Sequence, residues 1–526
     1  MVVTVPVVER PYRRRMYARV FGVTILGVGG HLVSVEAFVG RGLPSLIVTG
    51  LPGATLRDGR DRIRPAVEHA GFQWPLRRVV VNLAPGNVRK EGPGLDLAVA
   101  VAVLAATAQI PSRSLPGVAV FGELSLKGEV LPTPGVISVA MAAARRGLST
   151  VIVPATDAAE AAQVEGLNVV AAGTLADVVG FLRGTWDPPL VDIVHETPEG
   201  HDVDLADVRG QVHARRALEV AAAGGHNLLM VGSPGAGKTM LARRLPTILP
   251  ALDRDEALEA TQLHSVAGLR HGRGLLAARP FRAPHHSIST AGLLGSGAAV
   301  FRPGEVSLAH RGVLFLDELT EFRRDAIESL RQPLEDGRVV VARAGGSVTF
   351  PARFTLVAAA NPCPCGFEGD PVKGCRCRHD QASRYRQKLS GPLLDRIDLR
   401  LTVPRLTKDE LLGAADAEAS AAVRARVEAA RGRQRGRYAE LGLVCNADLP
   451  GPLARRLARL GTDAERMLAD AVERLALTGR GFDRVVKVAR TVADLEGVAT
   501  VGPSHVAEAL SYRSAFEHDD GLAHAV

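Results

Sequence analysis

Short apolar runs recur through the first 184 positions and alternate with longer runs of helical period. Leu46-Ile47-Val48 and Arg78-Val79-Val80-Val81-Asn82 read as strands, and Ala98 to Ala106 and Val139 to Arg146 as helices. This alternation predicts an α/β domain over 20–184, behind an N-terminal tail at 1–19. Between 185 and 203, from Trp186-Asp187-Pro188-Pro189 to Glu199-Gly200, prolines and acids break both periods, as in a linker. A second block, 204–404, contains fully apolar strand-like runs. The third, 405–526, is helical with few strand signals and includes an Arg/Ala-rich stretch, Ala421 to Arg437.

One apolar run, Asn227-Leu228-Leu229-Met230-Val231, leads directly into Gly232-Ser233-Pro234-Gly235-Ala236-Gly237-Lys238-Thr239, and Met240 to Leu245 then reads as a helix. Strand, glycine loop and helix is the context in which G-x-x-x-x-G-K-T cradles phosphates. The glycines let backbone N–H groups curl around the β- and γ-phosphates, and the helix N-terminus adds positive potential. Lys238 brings a point charge and Thr239 a hydroxyl for Mg²⁺. The stretch predicts binding of a nucleoside triphosphate.

Val313-Leu314-Phe315-Leu316 is a buried-strand pattern that ends in Asp317-Glu318. Placed beside the loop-bearing strand, Asp317 would hold Mg²⁺ and Glu318 would polarise the attacking water. Phe354 to Ala360, another apolar strand, ends at Asn361, where a polar side chain would face the γ-phosphate. Gly391 to Asp398 sets Arg396 near a helix end. An arginine so far from the loop in sequence suits insertion into a neighbour's site, and a salt bridge to Asp395 or Asp398 is the alternative.

Together these residues resemble the AAA+ ATPases of the YifB/ComM family, the magnesium-chelatase-like proteins. The likeness runs through Arg279-Pro280-Phe281-Arg282-Ala283-Pro284-His285-His286 and Arg302 to His310. It continues in Leu316-Asp317-Glu318-Leu319, Ala360-Asn361-Pro362-Cys363-Pro364-Cys365-Gly366 and Gly391 to Asp398. The resemblance implies ATP and Mg²⁺ as cofactors, a homo-hexameric ring and a P-loop AAA+ core with a parallel sheet, closed by a C-terminal helical lid. It makes Asn361 sensor 1, Arg396 the arginine finger and Arg480 sensor 2, with Arg484 the other choice for that role. Phe281 to His310 takes the place of the family's insert with a β-hairpin, in which His285 and His286 are expected to hydrogen-bond.

The N-terminal block is similar to the Lon-protease-like (S5-type) domain that precedes the ATPase in this family. Active Lon-type domains need a nucleophilic serine after Gly-Pro and a lysine further on. Here Gly94 follows Gly92-Pro93 and Ile137 falls about where the lysine would be, so no peptidase is expected. Ser125 and Lys127 read as an exposed turn.

Composition adds three constraints. Net charge is +8, which allows an acidic partner such as nucleic acid without requiring one. The most apolar run, Leu97 to Ala106, is too short to span a bilayer, and Met1 to Arg15 lacks a signal-peptide core, so a cytoplasmic chain with no membrane partner is expected. Four of the five cysteines cluster as Cys363-x-Cys365 and Cys375-x-Cys377. Four thiolates suit structural Zn²⁺, with His379 as a substitute ligand, although C-x-C is tighter than the usual spacing and reduced, metal-free thiols are the alternative. Cys445 reads as a small core residue.

Arg338 to Phe350 reads as a hairpin with a Gly-Gly turn just before the sensor strand, where MCM-like relatives project a hairpin into the ring pore. Arg343 beside the turn would contact DNA phosphates, or sit on a solvated hairpin. The arginines from 424 to 437 read as a solvated face. The favoured function is a ring ATPase that translocates on single-stranded or branched DNA, like the ComM branch-migration helicases. The alternative is a chelatase-type motor acting on a protein partner during metal insertion.

Overall fold

The computed structural model describes residues 16–51, 53–193, 202–270, 274–297, 301–343, 346–389, 391–412 and 417–513. The tail to residue 15, the linker segment 194–201 and the hairpin tip at 344–345 lie outside them. The chain divides into two compact units. The first comprises 1–196, 261–276 and 297–302, and the second 197–260, 277–296 and 303–526.

In the first unit the strands are β1 (Tyr17–Leu26), β2 (Gly29–Gly40), β3 (Ser45–Thr49), β4 (Arg78–Ala84), β5 (Val118–Val120), β6 (Glu123–Leu124), β7 (Val130–Leu131), β8 (Thr150–Pro154) and β9 (Asn168–Ala172). Seven of them form one mixed sheet in the order β3-β4-β2-β1-β5-β8-β9. β1 pairs antiparallel with β2 along its whole length, while β5, β8 and β9 are parallel. The apolar run after Leu95 is the helix Asp96–Ala106, buried on every side. That burial explains its lack of an amphipathic period: the helix packs against β1 and β2 and against the helix Ala54–His69.

β6 and β7 form the hairpin expected around Ser125. Ser125 Oγ accepts from Glu129 N at 3.1 Å and donates to Glu129 Oε2 at 3.0 Å, and Lys127 is exposed. At Gly94 an added Cβ would stand 2.1 Å from Phe121 Cε2, so the ring occupies the space a serine side chain would need. Ile137 is fully buried. Neither position offers a nucleophile or a base.

The second unit is built on β10 (Leu228–Val231), β11 (Phe281–Arg282), β12 (Gly295–Ser296), β13 (Arg302–Pro303), β14 (Val313–Leu316), β15 (Arg338–Arg343), β16 (Gly346–Pro351), β17 (Thr355–Ala360) and β18 (Leu399–Thr402). Five of them make a parallel sheet in the order β11-β14-β17-β10-β18. One expectation is corrected here. The strand ending in Asp317-Glu318 is not the neighbour of the loop-bearing strand, because β17 lies between them. β12 and β13 form a small two-stranded sheet within the insert, and β15 and β16 a separate antiparallel ribbon. In that ribbon Gly346 pairs with Arg343, so it belongs to the strand rather than to the turn.

The C-terminal helices, chiefly Ser420–Tyr438, Thr462–Arg474, Gly479–Glu496 and Pro503–Ser511, share one apolar core with the sheet. Val423, Val427, Val485 and Val492 belong to the same buried cluster as Met230 and Leu241. Several arginines of Ser420–Tyr438 are tied to neighbouring elements rather than solvated, while Arg433 and Arg435 are exposed. Arg424 bonds Thr247 O at 2.8 Å, Arg431 bonds Ala222 O at 2.9 Å and Arg426 pairs with Glu219 at 2.6 Å. Arg431 meets a carbonyl left free at the end of the helix Val212–Gly224 and Arg424 one near the end of Lys238–Ile248, as helix C-termini attract cations.

Candidate functional site

The loop 232–239 leaves the C-terminal end of β10 and enters the helix Lys238–Ile248. Gly235 and Gly237 hold φ of +83° and +92°, the left-handed region in which a side chain is strained, and this turns successive N–H groups inward. Gly232 is required for a different reason: an added Cβ would lie 2.3 Å from Val403 O, just past β18.

Lys238 is buried, and its Nζ donates to Gly232 O at 2.5 Å, Ser233 O at 3.1 Å and Asn361 Oδ1 at 3.2 Å. Burial pushes its ammonium pKa down, against the opposing pull of Asp317 and Glu318. Thr239 Oγ1 donates to Asp317 Oδ2 at 2.6 Å. Glu318 follows with φ of +51°, uncommon for a non-glycine residue, and its N–H donates to Asp317 Oδ1 at 2.9 Å. The structure therefore brings Lys238, Thr239, Asp317, Glu318 and Asn361 together at one end of the sheet. A cradle of N–H groups, an ammonium, a hydroxyl beside a carboxylate and a second, exposed carboxylate fit a triphosphate with its divalent cation.

His286 was not assigned to this group by sequence. Its Nδ1 lies 3.5 Å from Glu318 Oε2, and its ring meets Phe322 edge-on at 6.4 Å. His285, its neighbour, hydrogen-bonds Ser287 at 2.8 Å, as expected for a residue of the insert.

Arg396 and Arg480 are elsewhere. Arg396 O accepts from Asn227 Nδ2 at 3.0 Å, and Asn227 precedes β10, whereas the P-loop follows it. The two ends of that strand are about 13 Å apart. The Arg396 guanidinium pairs with Glu335, not with Asp395 or Asp398, and Arg480 Nη2 lies 4.0 Å from the same carboxylate. Arg484 is committed to Asp398 at 2.8 Å. Burial alone would raise the Asp398 carboxyl, but Arg484, His226 and Lys487 hold it below the usual range. Arg396, Arg480 and Arg484 line a cleft of about 690 Å³ with Asn227, Arg279 and Glu335.

Cys363, Cys365, Cys375 and Cys377 converge, with all four Sγ atoms within 4.8 Å of one another. Cys363 Sγ is 3.6 Å from Cys375 Sγ, close to the spacing of about 3.8 Å between sulfurs on a tetrahedral zinc. Backbone N–H groups of Arg376 and Phe367 hold the Cys365 thiol down to about 6. His379 opens the helix His379–Arg386 and is not one of the converging ligands. Cys445 is buried, which pushes its thiol up to about 12. Among the described residues no helix is long and apolar enough to cross a membrane.

Three family models match the chain: "Magnesium chelatase, subunit ChlI" over 204–411, "Subunit ChlI of Mg-chelatase" over 35–157, and "Magnesium chelatase, subunit ChlI C-terminal" over 417–513. An uncharacterized protein of Mycobacterium tuberculosis, Rv2897c, is 47% identical over 94% of this chain and 98% of its own length. YifB of Escherichia coli is 41% identical over 93% of this chain and 95% of its own, and the competence protein ComM of Haemophilus influenzae 41% over 94% and 97%. A shorter likeness links the chain to the Lon protease of Geobacter metallireducens, 26% identical over 32% of this chain and 22% of that protein.

Proposed function

The chain belongs to the magnesium-chelatase-like family that includes YifB and ComM, and from that premise we propose that it is a ring-forming AAA+ ATPase that couples ATP hydrolysis to the remodelling of DNA. The observation that carries the ATPase reading is the convergence of Lys238, Thr239, Asp317, Glu318 and Asn361 at the end of β10.

In this reading the loop Gly232, Ser233, Pro234, Gly235, Ala236 and Gly237 wraps the triphosphate, and its residues other than Pro234, which has no N–H, offer the backbone donors. Lys238 exchanges its carbonyl partners for phosphate oxygens. Thr239 and Asp317 would hold Mg²⁺, which would supply neutralisation of phosphate charge there. Glu318 takes the proton of the attacking water, and Asn361 orients that water. Arg396 and Arg480 sit at the far end of the strand, so they serve the site of a neighbouring subunit, and a homo-hexamer closes the ring. We divide the second unit into a core over 204–404 and a lid over 405–526, and we place the protein in the cytoplasm.

Three features support DNA as the partner. ComM, similar over most of the chain, is named a competence protein. The β15–β16 ribbon lies outside the central sheet with Arg343 at the end where its two strands connect, and the chain is basic. A ComM-like branch-migration helicase is the most specific form of this proposal. The names of the family models favour a second reading, a chelatase-type motor acting on a protein partner. ATPase rates measured with single-stranded, duplex and branched DNA separate the two, because only the first reading expects stimulation. The four thiolates form a structural Zn²⁺ site in this proposal, closed to substrate because the protein fills every ligand position.

A further inference from the structure

The loop that carries the cysteines also touches the P-loop. It starts at Asn361, which bonds Lys238, and the pairs Cys363/Cys365 and Cys375/Cys377 close its two ends together. Between them, Gly366 packs against Pro234 so tightly that an added Cβ would lie 2.6 Å from Pro234 Cδ. Four residues on, the Asp370 side chain is fully buried. Its Oδ1 accepts from Val372 N and Lys373 N, both at 2.9 Å. Its Oδ2 lies 3.9 Å from Arg405 Nη1 and has no hydrogen-bond partner, and the Ser233 hydroxyl stands close enough to the carboxyl to favour its charged form. Those N–H groups and Ser233 hold the carboxyl down to about 2, so Asp370 is a fixed negative charge against the phosphate loop.

We propose that Asp370 is a positioning residue for the P-loop and that the four-cysteine tie holds it in place, so that metal occupancy of the thiolates sets nucleotide affinity. The proposal rests on the ATPase reading above. A loop tied at both ends keeps few conformations, and Gly366 and Asp370 then meet Pro234 and Ser233 at fixed positions. An untied loop would have to be ordered at each binding event, which lowers the apparent affinity.

The test is equilibrium binding of a fluorescent ATP analogue together with metal content, on full-length protein purified without added metal. Asp370→Ala is expected to keep about one zinc per chain yet weaken the analogue about fivefold, which is about 1 kcal/mol. Asp370→Asn, which keeps the volume and one acceptor, should recover part of that loss. Cys375→Ser with Cys377→Ser should lose the zinc and weaken binding by a similar factor. Adding Asp370→Ala to that pair should change little, because the two act through one path. Wild-type affinity in Asp370→Ala overturns the proposal, as does full additivity with the cysteine pair. Tight analogue binding by a wild-type protein without zinc overturns the metal half. A wild-type protein that binds no analogue at all points instead to failure of the ATPase reading.

Discussion

Thr239 Oγ1 and Asp317 Oδ2 are 2.6 Å apart, although β17 separates the strands that lead to them. Contact across an intervening strand is possible because Thr239 stands on the first turn of the helix above the sheet, while Asp317 reaches over from the end of β14. One oxygen of the carboxylate faces Thr239, and the other caps the N–H of Glu318. That second bond holds Glu318 in its left-handed conformation, with its side chain exposed. In the proposed reading, cation binding and water activation would thus fall to adjacent residues with different surroundings.

Two substitutions separate these roles. Lys238→Ala should abolish binding of ATP, since it removes the buried ammonium that Gly232, Ser233 and Asn361 hold in the loop. Glu318→Gln should bind ATP normally but hydrolyse it roughly 10²- to 10⁴-fold more slowly. Binding and single-turnover rates measured side by side check both. Near-normal turnover by Glu318→Gln would remove Glu318 from the role of base.

Arg396 and its own P-loop lie at opposite ends of β10, so complementation between subunits is expected. Arg396→Ala and Lys238→Ala proteins should each be nearly inactive, and mixing them should restore a measurable fraction of the rate. One mutant supplies the pocket and the other the arginine. Mixed rings that assemble, as seen by light scattering, but stay inactive would place Arg396 in its Glu335 ion pair only.

Zinc should be present at about one per chain in protein purified without added metal, and Cys363→Ser should release it. Elemental analysis decides this directly. A content near zero would leave the four thiols as a reduced cluster.

The first unit should show a stability that falls as pH rises. Glu160 is buried, which raises its carboxyl to about 7 against the opposing effects of Ser265, the Ile137 N–H and Arg270; Asp157 adds to the rise. Its unfolded value is near 4.3, so the folded state binds the proton more tightly. The associated stability is complete below pH 4.3 and is lost as pH climbs through about 7. Glu160→Gln keeps an acceptor for Ile137 N but cannot ionise. The difference in melting temperature, variant minus wild type, should therefore increase between pH 5 and pH 8, and a flat difference would refute the assignment.

What could be read from sequence was local. The P-loop, the Asp317-Glu318 strand end and Asn361 each announce themselves within a few contiguous residues, because strand, turn and side chain are adjacent in the chain. Sheet order is not local, and so β17 was not expected between β10 and β14. Charge was equally misleading where its partner is distant. Arg424 and Arg431 look solvated until the carbonyls of Thr247 and Ala222, at the ends of two other helices, are seen beneath them. Arg396 has acidic neighbours in sequence, yet it pairs with Glu335, 61 positions away. Asp370 carries no motif, and only the packing of its loop on Ser233 and Pro234 singles it out.

Val339, Val341 and Phe350 are buried at the base of the β15–β16 ribbon, while its strands run out to Arg343 paired with Gly346. An anchored base and a basic connecting end suit a device that would touch a strand of DNA while staying tied to the central sheet. Single-stranded or branched DNA should raise the ATPase rate, and binding should weaken steeply as salt rises, because Lys and Arg displace condensed counterions. Arg343→Ala should reduce the stimulation and the salt slope by about one while leaving basal hydrolysis close to wild type, since the ribbon is remote in sequence and sheet from Lys238. A rate that stays flat with every form of DNA, in a sample whose rings are assembled, would turn the choice to the chelatase-type motor, for which a protein partner is the stimulus.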